Sequence, residues 1–567
     1  MTDKKTALKW FAVLLVCGCT GAARAQLPGE TLLLINRNSA ASMKVGHFFA
    51  RTRKVPFENI VYLDVPAEAV QGTYSIAPEE FTRHIWDPAR AAADRRGLAD
   101  HLLAWVYSVD FPIRVTASPD VSITGLTFAR NDLPASEKVK KGQYLSHLFC
   151  GPTPKGERSR PPLSFARSAA GLGDRMPLPA MMLGHLGPGG STVEQVMETL
   201  RRGARSDGSR PDSGIYFVRT DDEHRSKPRE WQYAAVQTEL ARFGIEATTT
   251  TNFPAGEENV IGLLTGAKTV DPGRVESFAP GAVAEHLTSW AAVFERPQTK
   301  LTAWLNNGVT ASAGTVTEPY NVWTKFPHAR LFVMYAGGCT AMEALYQSIA
   351  CPFQSLILGE PFARPWRLPV RVGVAGLPRE TLDGDVTLRG QAAPQHPKLS
   401  FEFAFYVDGR LRRDFDADST YRLPVSELND GFHTLRVAAR LKKPVVHAIE
   451  ATGGFMVDRA GRSAVIRTIE GREDGAVAVT VETRSDTPPQ KVCLMRGSLL
   501  LDEREGGGEH EFRFNEREVG EGVHILQAVA RFEDGAEVRS APARCEIAFP
   551  EPKPERTAEE ESGGTDE

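Results

Sequence analysis

The chain has 567 residues, enough for three or four domains at roughly 150 residues each. Hydrophobic residues at 41% and charged residues at 24% exclude a disordered chain, and 50 Gly with 38 Pro exclude a collagen-like one while allowing many turns. The net charge of −4 divides into +3 over Met1–Ala25, −5 over Pro550–Glu567 and −2 over the body, which gives no electrostatic ground for nucleic-acid binding.

Lys4, Lys5 and Lys9 precede a mostly apolar run over Trp10–Ala23, and Ala23-Arg24-Ala25 places small residues before Gln26. This is the build of a secretory signal peptide over residues 1–25, so the mature protein is expected in the periplasm, at the cell surface or outside the cell. Val16-Cys17-Gly18-Cys19 also approximates a lipobox, which would put a lipid on Cys19; lipidation there is the one membrane attachment the sequence suggests. Five cysteines follow the leader (Cys150, Cys339, Cys351, Cys493 and Cys545), with no CxxC pair and no zinc spacing, so no metal or other cofactor is expected. Cys493 and Cys545 lie in one small β domain and form the expected disulfide pair.

In chain order, Thr31–Asn36 reads as a buried strand and 41–52 as a helix, followed by a strand over 59–65 and a helical stretch over 78–95. Residues 101–109 form a third strand. Ser191 and Glu194 make a capping box that opens a helix through Arg202. A strand over 214–219, a helix over 230–243 closed by Gly244, and a strand over 260–264 come next. Apolar runs at 309–316, 331–335 and 355–358 predict three further strands. Alternating strands and helices point to an α/β layer fold with a mostly parallel sheet, spanning residues 26–368.

Past Arg364-Pro365-Trp366 the period changes to two, with many Gly and Asp turns. Gly431–Arg440 repeats as Gly522–Arg531, an offset of 91 residues, and Val407-Asp408-Gly409 matches Met495-Arg496-Gly497 upstream. Two all-β immunoglobulin-like sandwiches are expected, over 369–460 and 461–549, with His433 and His524 as structural residues of their strands. Residues 550–567 hold seven acids and two bases and form an acidic disordered tail.

Chemistry is read from residues at strand ends, because open α/β sheets bind ligands beyond the carboxyl ends of parallel strands. Those positions are Asn36, Asp110, the Asp221-Asp222-Glu223-His224-Arg225 run, Thr265 and Glu318, which converge on one rim if all the strands are parallel. Paired carboxylates with His224 and Arg225 suit proton transfer or anion recognition, and a solvated loop explains them equally well. His286 and Ser289 share a face if their segment is helical and oppose each other if it is a strand. They are candidates for a base and a nucleophile, without a G-x-S-x-G elbow to support them. Gly184–Gly190 reads as a turn into a capped helix, and Cys339 as part of a helix cap formed by Thr340 and Glu343.

Several segments together resemble a family of bacterial exported proteins that accompanies exosortase protein-sorting systems. They are Leu34-Ile35-Asn36-Arg37-Asn38-Ser39, Asp222-Glu223-His224-Arg225-Ser226, Glu285-His286-Leu287-Thr288-Ser289, Gly314-Thr315-Val316-Thr317-Glu318-Pro319, Gly338-Cys339-Thr340-Ala341-Met342-Glu343-Ala344 and Gly359-Glu360-Pro361. The same region more distantly resembles caspase-like peptidases of the gingipain type. Those place a His after one strand and a Cys after the next, where this chain has Thr265-Gly266 and Ser289, so the resemblance implies the fold without the cysteine-peptidase dyad. Together the two resemblances imply an exported, envelope-associated protein that binds an exported protein or a surface glycan. The alternative is a hydrolase using His286 or His224 with Ser289. Pro550-Glu551-Pro552 precedes a charged stretch that cannot enter a bilayer, so the chain is expected to keep its C-terminus.

Overall fold

The computed structural model describes residues 28–156, 159–393, 400–441, 448–472 and 475–548. The leader, Cys19 and the acidic tail lie outside the described residues.

Residues 31–359 build one ten-stranded sheet. Its strands are β1 (Thr31–Asn36), β2 (Ile60–Leu63), β3 (Ala104–Tyr107), β4 (Ala180–Met182), β5 (Ile215–Val218), β6 (Ala247–Thr250), β7 (Val260–Gly266), β8 (Phe278–Leu287), β9 (Ala311–Thr315) and β10 (Ser355–Gly359). The spatial order is β2-β1-β3-β4-β10-β9-β8-β7-β5-β6. Every described pairing is parallel except β9 with β10, which is antiparallel from Ala311↔Gly359 to Thr315↔Ser355. The sheet is therefore two five-stranded parallel halves running in opposite directions. Within each half the first strand lies between the second and the third, so β2-β1-β3-β4 and β6-β5-β7-β8 share one winding. Apart from the edge strand β6, an Ala-Thr-Thr-Thr run with no buried residue, the strands are mostly apolar and buried; all six residues of β1 are buried.

Flanking helices include α1 (Ala40–Arg53), α2 (Val193–Arg205), α3 (Glu223–Glu230), α4 (Tyr233–Ala241), α5 (Leu301–Asn306) and α6 (Leu331–Ala336). Three expectations need correction. The capping box of α2 is Thr192 with Gln195, one residue later than read, with both reciprocal hydrogen bonds made. The expected helix over 230–243 is α4, shorter at both ends, and a separate helix, α3, with Pro228 inside it, precedes it where none was read. The 331–335 run is helix α6, not a strand; all six of its residues are buried, and an apolar run surrounded by core carries no period that separates the two states. The Thr340–Glu343 box opens the next helix as read, and burial drives the Cys339 thiol well above its ordinary pKa.

From Arg371 onward the chain is antiparallel β structure with two apolar cores, one between Val370 and Val457 and one between Ala464 and Ile547. Each core lies against a three-stranded sheet, and the larger sheets of the two units join through the short strand Glu537–Arg539. The repeated strands Gly431–Leu441 and Gly522–Arg531 take equivalent places in the two units. His433 Nε2 and His524 Nε2 each bond the carbonyl four residues back, at 2.8 Å from Asn429 O and 2.9 Å from Gly520 O. The expected Cys493–Cys545 pair is absent: both are free thiols. Val492, Leu494 and Cys545 face the core, so strand alternation turns Cys493 to the other side. Among the described residues no helix is long and apolar enough to cross a membrane.

Candidate functional site

The antiparallel seam sends the carboxyl ends of the two half-sheets to opposite edges, so the strand-end residues do not converge on one rim. Asn36 and Asp110 lie beyond β1 and β3 on the first edge. Asn36 Nδ2 donates to Asp110 O at 2.9 Å, and the Ser39 hydroxyl, which also caps α1, donates to Asp110 Oδ2 at 2.6 Å. Asp221, Asp222, His224, Arg225, Thr265, His286, Ser289 and Glu318 belong to the second edge, beyond or near the ends of β5, β7, β8 and β9.

On that second edge Gly266 lets α3 start directly over the end of β7; a Cβ there would stand 2.1 Å from Arg225 O. The approach brings Arg225 to the end of β8. Its guanidinium bonds Asp222 Oδ2 at 2.7 Å and Thr288 Oγ1 at 3.3 Å. Thr288 donates to Gln298 Oε1 at 2.7 Å, which also accepts Trp290 N at 2.9 Å. Asp221 and His224 are exposed beside this ledge. Thr265 is buried; its carbonyl accepts Arg229 NH2 at 2.5 Å, and its hydroxyl has no hydrogen-bond partner among the described residues.

His286 and Ser289 do not form a base–nucleophile pair. The segment through Leu287 is strand β8, and His286 is fully buried. Its Nε2–H donates to Thr299 O at 3.1 Å, and its Nδ1 accepts Trp304 Nε1–H at 2.9 Å, which fixes one neutral tautomer. Burial lowers its pKa to about 4, with the Arg229, Lys300 and Arg225 charges adding to the effect. Ser289 Oγ instead donates to Glu318 Oε1 at 3.0 Å, and the same oxygen accepts Tyr320 N at 3.0 Å. The hydroxyl thus meets a carboxylate while the imidazole has no free nitrogen. Both residues of this pair were named from the sequence; their pairing, across 29 residues, was not.

Aromatic side chains flank this polar ledge, and sequence reasoning missed them. Trp231, just past α3, is 38% exposed and packs edge-on against Trp323 at 5.5 Å and His328 at 5.2 Å between ring centroids. Tyr320 is 60% exposed, and the Lys325 ammonium lies 6.0 Å from its ring centroid. Lys325 donates to Lys140 O at 2.6 Å, and desolvation brings its pKa down to about 8. The edge therefore combines exposed aromatic side chains with a carboxylate, an amide and a guanidinium, a set suited to binding a polar ligand that has apolar faces.

No family model and no curated protein matches the chain. Solved structures match parts of it. The fibronectin(III)-like modules of Clostridium thermocellum CbhA are 19% identical over 15% of this chain and 99% of theirs, at a TM-score of 0.13. The SGBP-B protein of the Bacteroides ovatus mixed-linkage glucan utilization locus, solved with a mixed-linkage heptasaccharide, is 11% identical over 29% of this chain and 41% of its own, at 0.19. The central fibronectin-III array of RIM-binding protein is 12% identical over 32% of this chain and 69% of its own, at 0.12.

Proposed function

We propose that this chain is an exported, envelope-associated binding protein. In this reading a caspase-like α/β region without a peptidase dyad carries a glycan site on its second carboxyl edge, and two immunoglobulin-like units follow it. The observation that carries the reading is the pair of exposed aromatic residues, Trp231 against Trp323 and Tyr320 against Glu318, in the segments that follow the strand ends carrying Arg225 and Glu318. Sugar rings stack their C–H faces on aromatic rings and offer hydroxyls to carboxylates, amides and guanidinium groups, which is the chemistry this edge presents. Family resemblance adds the setting, next to an exosortase-type sorting system.

Titrating the purified chain with soluble envelope polysaccharide should quench tryptophan fluorescence saturably. Trp231→Ala should weaken that binding by about tenfold or more, the loss expected for one stacking contact worth ~1.5 kcal/mol. Saturable binding that is unchanged in Trp231→Ala and Tyr320→Ala would place the glycan elsewhere and remove the reading. The hydrolase alternative gains no support from the geometry. A fluorophosphonate probe for activated serines should leave the protein unlabelled, and labelling that disappears in Ser289→Ala would reverse that assignment.

A further inference from the structure

The two β units differ at two adjacent positions, and the difference opens onto the α/β region. In the first unit, Val407 pairs with Leu435 and the turn that follows is Asp408-Gly409. Asp408 Oδ2 stands 2.6 Å from His433 Nδ1, and its Oδ1 accepts Thr434 N at 2.9 Å. With Nε2 facing Asn429 O, both nitrogens of His433 face acceptors, one of them a carboxylate.

In the second unit Arg496 pairs with Leu526, the residue 91 positions after Leu435, so Arg496 replaces Val407 and Gly497 replaces Asp408. This moves the match between the two repeats, which from sequence set Arg496 against Asp408, by one residue. The carboxylate is thereby lost and a guanidinium gained. A Cβ on Gly497 would meet nothing closer than Phe57 at 3.5 Å, so the missing side chain leaves its place open. His524 is buried, and its Nδ1 has no partner among the described residues.

Arg496 is 3% exposed. Its NH1 donates to Val519 O at 2.6 Å, its NH2 contacts His47, and its guanidinium lies 5.6 Å from the Tyr62 ring centroid. His47 bonds the Tyr62 hydroxyl at 3.0 Å and meets His524 edge-on at 5.4 Å. The ionisable groups acting on Arg496 are Tyr62 and Cys545, neither of them anionic at neutral pH. Arg51 adds positive charge near His524, Arg96 adds it near Tyr62, and the Lys44–Glu521 ion pair at 2.9 Å is internally balanced. A buried guanidinium thus faces two neutral imidazoles and a phenol with no carboxylate partner among the described residues. Buried charges are ordinarily paired.

We infer that the junction formed by Arg496, His524, His47 and Tyr62 is a binding site for a small monovalent anion, of halide or carboxylate type, which takes the place that Asp408 fills in the first unit. Because His524 Nε2–H already donates to Gly520 O, a donor at Nδ1 requires a second proton on the ring. The anion and that proton therefore arrive together, and affinity rises as pH falls. Since His47 lies on α1 and Tyr62 on β2, occupation ties the second β unit to the edge of the large sheet.

Crystals of the full chain grown or soaked in sodium bromide at pH 5.5 should show an anomalous peak within contact distance of Arg496. In solution, chloride or bromide should raise Tm saturably over gluconate at equal ionic strength, by about 3 °C at tenfold excess over Kd. The rise should be larger at pH 5.5 than at pH 8 and absent in Arg496→Met, which keeps an unbranched side chain and removes the charge. A rise with acetate but not with bromide would assign the site to carboxylates. Absence of both a bromide peak and an acetate effect in the wild-type chain, or an equal halide response in Arg496→Met, would overturn the inference. The wild-type measurements decide the matter even if Arg496→Met fails to fold.

Discussion

Replacing Arg229 by methionine is expected to lower stability by about 3–5 kcal/mol at pH 8 and by visibly less at pH 6. Arg229 and Glu285 are both buried, and their ion pair sits beneath the second carboxyl edge. The guanidinium also donates to Pro327 O at 3.2 Å and Thr265 O at 2.5 Å, so one side chain of α3 holds the ends of β7 and β8 and the segment leading into α6. Glu285 Oε1 has no hydrogen-bond partner among the described residues, and burial raises the Glu285 pKa from 4.5 to about 7 against the opposing pull of Arg229. A carboxyl with a raised folded pKa binds more protons folded than unfolded between those two values, so its ionised form costs stability above about pH 7. That cost is relieved as pH falls toward 4.5. Without Arg229 the ionised form is worse still, and protonation relieves more. Urea unfolding of Arg229→Met at pH 6 and pH 8 reads the difference. An equal loss at both values would mean that Glu285 is solvated or paired elsewhere. The double variant Arg229→Met, Glu285→Gln should recover most of the loss at pH 8, since no uncompensated charge remains.

The elements most legible in the sequence were those whose signal is local. Thr31–Asn36 is apolar almost throughout because a parallel strand is covered on both faces, and the change to period two after Arg364-Pro365-Trp366 marks sandwiches with one wet face. What escaped was non-local. No residue of β9 or β10 records that the two strands run antiparallel, yet that pairing alone sends Asn36 and Asp110 to one edge and Asp222, Arg225, Ser289 and Glu318 to the other. His286 and Ser289 looked like a dyad only under helical spacing. In strand β8 the histidine points toward Trp304 while the serine, past the strand's end, meets Glu318. Trp231, Tyr320 and Trp323 gave no sequence signal because exposed and buried aromatics have the same letters; their exposure depends on where α3 ends and where the chain turns after β9. The Asp408-to-Gly497 change was hidden by a one-residue misalignment that strand pairing corrects.

Gly359→Ala is expected to be among the most damaging single-methyl additions in the chain, at about 3–5 kcal/mol. Gly359 ends β10 at the seam, paired with Ala311, and its φ of 119° is a conformation that alanine adopts only under strain. The added Cβ would stand 2.1 Å from Thr310 O and 2.9 Å from Ala311 Cα. Thr310 O is also the acceptor for Glu360 N at 2.9 Å, so relief by moving that carbonyl breaks the next hydrogen bond. Glu360 is wholly buried and holds Arg53 through two hydrogen bonds, at 2.8 and 2.6 Å, while Arg53 NH1 reaches Asp207 Oδ2 at 2.7 Å. Displacing Glu360 therefore pulls on the ends of α1 and α2 as well as on the seam, and exposes three charges to poorer pairing in a buried place. Gly373→Ala is the control, because a Cβ at that strand position meets nothing within 4 Å and should shift stability by no more than about 0.5 kcal/mol. Thermal and urea unfolding of the two variants side by side measure the contrast. A Gly359→Ala protein as stable as Gly373→Ala would show that the seam relaxes freely, and the two half-sheets would then be less firmly joined than the Ala311–Gly359 pairing implies.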